Sequence, residues 1–150
     1  MFSKWLVVVV DAVVLMVVCR GMKELFRCQI TVHQECYGAK HVKYLNSWVS
    51  RVCETFDVER KCCLFLVKGG ALKPTNVEML WVHVICAWFR SQVVFQNHEV
   101  VKPAVGILKI YPNSFVKTCV ICKQSRGSCI TCYKCATYFH VMYASSVRYI

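Results

Sequence analysis

The stretch Cys119-Val-Ile-Cys-Lys-Gln-Ser-Arg-Gly-Ser-Cys-Ile-Thr-Cys-Tyr-Lys-Cys-Ala-Thr-Tyr-Phe-His140 decides how this chain is read. A Cys-x-x-Cys turn aims two thiolates at one ion. Cys119/Cys122 and Cys132/Cys135 are two such pairs with nine residues between them, and His140 follows five residues after Cys135. Thiolate and imidazole donors at this spacing suit tetrahedral zinc sites. Cys129 leaves the pairing open, because Cys129/Cys132 is also a Cys-x-x-Cys.

The theme returns upstream as His83-x-x-Cys86 behind Cys62, and as His33-x-x-Cys36 between Cys28 and Cys53. Six disulfides could absorb the twelve cysteines of a secreted chain. A disulfide framework, however, has no use for His at fixed offsets from Cys, and a metal does. The pattern therefore reads as reduced cysteines serving zinc. A secreted or membrane-anchored disulfide protein is the competing expectation.

Composition agrees. The chain has 150 residues, enough for one domain or for two or three very small ones. Its 57% apolar content is concentrated in the first eighteen residues and in the Cys-rich runs. Units this small usually need disulfides or a metal. Nineteen basic against eight acidic residues give a net charge of +11. That balance favours nucleic acid, an anionic membrane or an acidic partner, and disfavours a basic peptide unless acids cluster locally.

Along the chain, Trp5 to Val18 is an apolar run flanked by Lys4 and Arg20 and interrupted by Asp11. It is shorter than the ~20 residues a spanning helix needs. Its valines favour a buried strand or strand pair, and a signal or anchor is the alternative. Gln29-Ile30-Thr31-Val32 reads as strand. Residues 54–61 are the most charged stretch and the expected linker, and 68–75 reads as a turn-rich loop. Trp81 to Phe89 has helical spacing, with His83 and Cys86 one turn apart on one face. Residues 90–118, with Pro103, Gly106 and Pro112, read as a connector with little chemistry.

Catalysis finds little support. A Cys nucleophile needs a base and an orienting acid or amide. The His–Cys pairs here all stand at metal spacing, and the acids are scattered. Lys68-Gly69-Gly70 lacks the frame of a phosphate-binding loop. Lys102, Lys109, Lys117, Lys123, Arg126 and Lys134, interleaved with Tyr111, Phe115, Tyr133 and Tyr138, can serve a nucleic-acid surface or form a solvated face.

These residues carry a resemblance. Cys28-Gln-Ile-Thr-Val-His33-Gln-Glu-Cys36-Tyr-Gly-Ala is similar to the second half of a PHD finger. Lys68-Gly-Gly-Ala-Leu-Lys-Pro-Thr75 and Trp81-Val-His83-Val-Ile-Cys86-Ala-Trp-Phe89 resemble the zinc knuckle of an extended PHD module. Cys119 to His140 resembles the atypical PHD finger that follows. The order resembles that in plant trithorax-like histone-lysine methyltransferases, over roughly residues 25–144. The resemblance implies a small zinc-stabilised α+β fold of short two-stranded sheets and short helices. It divides the chain into an apolar segment (1–24), a partial PHD finger (25–56) and an extended PHD module (57–150), with its knuckle at 62–89 and its last finger at 116–144.

The departures matter as much. The first finger has Leu25 and Ser50 where the family has Cys, and its opening pair falls near Val8 and Asp11. One of its sites keeps only His33 and Cys36, the other only Cys28 and Cys53. The knuckle has Phe65 for its second Cys and keeps Cys62, His83 and Cys86. The last finger has Tyr143 three residues after His140 and keeps Cys119, Cys122 and His140. Cys132 and Cys135 remain from its other site, since the sequence ends before a final pair. A SET methyltransferase domain is absent from these 150 residues. Structural zinc contributes about 10–16 kcal/mol of apparent binding free energy in finger peptides. Three ligands hold it more weakly, and two do not hold it tightly. The expectation is at most two Zn2+ ions and a metal-free first finger that leans on Trp48, Tyr37 and the apolar terminus. The resemblance further implies a non-catalytic nuclear module that binds histone or chromatin, with DNA contact through the basic C-terminal half. No small-molecule substrate and no membrane partner are expected. The contrary expectation is an eroded fragment without a binding function.

Overall fold

The computed structural model describes residues 9–10, 13–14, 22–25, 30–44, 49, 60–68 and 70–146. The described residues form five two-stranded antiparallel sheets and short helices. Strands β1 (Val9–Val10) and β2 (Val13–Val14) pair within the apolar run, which answers to the strand-pair reading. Among the described residues no helix is long and apolar enough to cross a membrane. Strand β3 (Met22–Leu25) pairs with β4 (Ile30–His33), the expected strand. The linker expected at 54–61 lies outside the described residues except for Arg60 and Lys61, and Trp48 lies outside them too.

The loop expected at 68–75 contains a strand instead, β5 (Leu72–Pro74). It pairs with β6 (Trp81–His83), from Leu72 opposite His83 to Pro74 opposite Trp81. Pro74 is tolerated at the strand end, where a missing N–H costs little. Helix spacing over 81–89 is likewise only half realised. Trp81 and Val82 are committed to the ladder, His83 is still extended (φ −64°, ψ 139°), and the helix α1 begins at Val84 and ends at Trp88. Its Val84, Ile85, Cys86 and Ala87 are all buried, as befits a short helix enclosed by its neighbours.

The expected connector is a folded unit. Strand β7 (Val94–Asn97) returns as β8 (Lys102–Val105). Asn97 Oδ1 closes the turn by accepting from the Glu99 and Val100 amides at 2.9 and 3.2 Å. Two 3-10 turns follow at Ile107–Lys109 and Pro112–Phe115. Strands β9 (Ile130–Thr131) and β10 (Tyr138–Phe139) pair in the last finger, and α2 (Val141–Ser146) closes the fold.

The described residues bury two apolar clusters, a smaller one of Cys119, Cys129, Phe139 and Ala144 and a main core. Val32, Cys36, Tyr37 and Ala39 of the first-finger segment bury with Cys62, Leu72, Val82 and Ile85 of the knuckle, with Phe95 and Ala104 of the hairpin, and with Val141 and Met142 of α2. Tyr37 is 2% exposed and donates to the Leu72 carbonyl at 3.3 Å, so the expected role of Tyr37 in packing is met. A Cβ on Gly38 (φ +72°) would fall 2.2 Å from the Val100 carbonyl carbon, so glycine is needed where this turn meets the β7–β8 turn.

Candidate metal centres

Among the described residues two groups of donors converge. In the first, Cys62, His83 and Cys86 are all buried, and their ligand atoms lie within 4.8 Å of one another. His83 ends β6 and Cys86 lies in the first turn of α1, so the strand-to-helix junction places both. Cys62 is delivered by the loop before β5, where Cys62 bridges to Trp81 and the Cys63 amide bonds the Trp81 carbonyl at 2.8 Å. Cys86 Sγ lies 3.8 Å from His83 Nδ1, and Cys62 Sγ accepts the His83 amide at 3.3 Å.

The second group repeats the first. Cys119, Cys122 and His140 also bring their ligand atoms within 4.8 Å. His140 follows β10 and precedes α2, again at a strand-to-helix junction. Cys122 Sγ lies 3.4 Å from His140 Nδ1, and Cys119 Sγ accepts the His140 amide at 3.4 Å. In both groups the first Cys accepts the amide of the His 21 residues later. Tetrahedral zinc with its usual bond lengths sets S and N about 3.6 Å apart, which the observed 3.4 and 3.8 Å bracket.

The thiols are differentiated. Burial raises Cys62, but the hydrogen bond from Cys86 and the bonds and charge of His83 outweigh it and hold Cys62 well below an ordinary thiol. Cys86 is pushed up by its bond to Cys62 and by burial. In the second group burial likewise raises Cys119, yet amides from Cys122, His140 and Ile121 hold it down, while burial lifts Cys122. In each group one thiol is thus easier to ionise than the other, and a bound metal would displace the remaining proton. Burial lowers His140, which favours the neutral imidazole a metal needs.

Other predicted donors fall elsewhere. The Cys135 amide bonds Cys132 Sγ at 3.3 Å, and this pair joins no third donor among the described residues. Cys36 is buried in the main core and joins no such group either. Cys28, Cys53 and the His33 side chain lie outside the described residues. Cys129 settles as a core residue whose Sγ faces the Lys117 carbonyl at 3.4 Å, with its thiol pushed up to about 11 by burial and by Cys119 and Cys122. Cys63, beside Cys62, is raised to about 12 by burial and the Cys62 charge.

Residues 60–150 match the family described as PHD-zinc-finger like domain. The chain belongs to that family. Its zinc chemistry follows: the cofactor is Zn2+, and both groups have the donors and spacing for it. Zebrafish Protein Jade-1 is 39% identical over 117 residues, 77% of this chain and 14% of that protein. Mouse Bromodomain and PHD finger-containing protein 3 is 40% identical over 118 residues, 76% of this chain and 10% of that protein. Human E3 ubiquitin-protein ligase Jade-2 is 39% identical over 117 residues and is covered to 15% of its length. The chain therefore spans about a seventh or less of these relatives. The crystal structure of zebrafish PHF14-PZP superposes with a TM-score of 0.65 at 29% identity, covering 82% of this chain and 65% of that one. The PHD and extended-PHD reading is upheld, and these relatives are Jade and bromodomain proteins rather than the plant trithorax-like enzymes whose module order the sequence resembles.

Three residues shape the site through contacts that spacing does not give. Phe65 and Tyr143 stand where the resemblance places Cys, and their rings meet edge to face at 5.2 Å. Arg90 leaves α1 to donate to Ser128 Oγ and, at 2.8 Å, to the Cys129 carbonyl, tying the knuckle to the last finger. No local signal marks these contacts.

Proposed function

We propose that this chain is a non-catalytic, zinc-dependent interaction module of the nucleus that binds histone or nucleic acid, with Cys62/His83/Cys86 holding one Zn2+ and Cys119/Cys122/His140 a second. The convergence of two three-donor groups in a PHD-family fold carries this reading. In such sites the metal fixes the fold, and the surface does the binding.

That surface favours an anionic partner. Lys109, Lys123, Arg126 and Lys134 are exposed, as are Tyr111 and Tyr133 at 72% and 98%. Lys117 Nζ lies 4.8 Å over the Tyr138 ring. A cleft of about 720 Å³ between the connector and the last finger is lined by Arg90, Tyr111, Lys117 and Tyr138 among others. Cations with stackable rings suit a nucleic-acid backbone and its bases. The test is duplex DNA binding across a salt series, with a histone-tail peptide in parallel. Affinity for DNA that falls steeply with salt supports the nucleic-acid side. Peptide binding without DNA binding supports the histone side. Neither partner binding to the zinc-loaded chain refutes the proposal and favours the eroded-fragment reading.

A further inference from the structure

Metal-bound His almost always donates its second ring N–H to a carboxylate, carbonyl or water, and this bond fixes the ring. For His140 no protein group among the described residues supplies that bond. It is 1% exposed, its Nδ1 faces Cys122, and its Nε2 is buried with no hydrogen-bond partner. The backbone of Gly127 and Arg126 favours the charged imidazole, yet nothing there meets Nε2 in hydrogen-bonding geometry. A ring contact can also hold the imidazole.

Phe65 is placed to do so. It is 8% exposed, and its ring centroid lies 5.1 Å from that of His140 at a 49° tilt. Its edge-to-face partner Tyr143 stands one helical turn beyond His140, with its ring 6.1 Å from the His140 ring. The Phe65 loop is clamped there by the Ser128 amide, which donates to the Leu64 carbonyl at 2.6 Å. Gly127 (φ +91°) makes the approach possible, since a Cβ there would lie 2.9 Å from the Leu64 oxygen, 3.3 Å from Phe65 Cα and 3.5 Å from His140 Nε2.

We infer that Phe65 is a positioning residue for the Cys119/Cys122/His140 zinc: its ring, supplied by the knuckle, packs against the imidazole and holds the orientation of His140. The position whose donor is absent from one site thus serves the other. This rests on the reading that both groups bind zinc. Each group also lacks a different ligand, the first at Phe65 and the second at Tyr143, and the two replacements meet at a single aromatic contact.

The experiment uses the full chain with Phe65→Leu, Phe65→Ala and Phe65→Tyr. Zinc affinity is measured by chelator competition. Metal on each imidazole is followed by ¹⁵N-histidine spectra, with His83 and His140 assigned from single His→Ala variants. The expected result is two ions in the parent chain, loss of about ten- to a hundredfold in affinity at His140 in Phe65→Leu, an unchanged His83 signal, and recovery in Phe65→Tyr. Phe65→Leu keeps the apolar filling, so it decides the matter even where Phe65→Ala does not fold. Parent-like zinc affinity at His140 in Phe65→Leu overturns the inference, as does equal weakening of both ions. Fewer than two ions in the parent chain overturns the underlying zinc reading instead, and the parent measurement alone separates that failure from the other.

Discussion

Lys73 Nζ sits 4.0 Å above the ring of Tyr37, joining strand β5 to the first-finger segment. It also donates to the Val100 carbonyl at 3.1 Å, and the residue is 7% exposed. The ring face and the carbonyl favour the cation, while burial and the nearby Lys102 charge oppose it. Burial wins, and the pKa falls to about 7. A lowered lysine pKa destabilises the fold where both states are protonated. Below pH 7 that cost is complete. From about 7 to about 10 the folded chain gives up its proton while the unfolded chain keeps it, so stability rises with pH. Lys73→Met should therefore gain stability relative to the parent at pH 6, and the gap should narrow toward pH 10. Paired denaturant titrations at fixed zinc check this; a gap constant with pH contradicts it.

Removing zinc should abolish the fold of residues 60–146. Within these residues the strands form three two-stranded sheets, and a sheet of two strands is marginal alone. A strong chelator should take two equivalents and erase the cooperative thermal transition, and added Zn2+ should restore it. Elemental analysis and circular dichroism on the same sample give both readings. A cooperative melt that survives complete metal removal would show that packing suffices.

Tyr143→Cys should complete the second site. Residue 143 lies in α2 three positions after His140, where a fourth donor can reach the ion. Zinc should bind more tightly than in the parent, and Co2+ should show thiolate charge transfer from three sulfurs rather than two. An unchanged cobalt spectrum argues that α2 does not present position 143 to the metal.

Arg90→Met should loosen the knuckle from the last finger. The guanidinium bonds both Ser128 Oγ and the Cys129 carbonyl. A hydrogen bond to a charged group contributes about 1.5–3 kcal/mol, so a loss in this range is expected by denaturant unfolding. Zinc stoichiometry should stay at the parent value, because Arg90 belongs to neither donor group. A stability change within about 0.5 kcal/mol would mark the contact as a surface one.

Much of the site was legible because its local parts are rigid. A Cys-x-x-Cys turn or a His-x-x-Cys step brings two donors together wherever it occurs, so Cys119/Cys122 and His83/Cys86 could be read directly. The fold between them is less legible. Periodicity over Trp81 to Phe89 suggested one helix, but cross-strand pairing with Leu72–Pro74 claimed its first three residues. Residues 90–118 looked empty because their contribution is a hairpin and buried Phe95, Ala104 and Ile107, and none of these bears chemistry.

What the sequence by itself determined is the inventory: thiolates and imidazoles at zinc spacing, a basic surface, and the cysteines missing at Phe65 and Tyr143. Tertiary structure alone decided which donors meet. Cys62 reaches His83, and Cys119 reaches His140, each across 21 residues, because intervening chain reversals return the backbone to the first cysteine. The same folding set Phe65 against His140 and Tyr143. Those contacts join the knuckle loop to the last finger far along the chain, and spacing rules reach only a few residues.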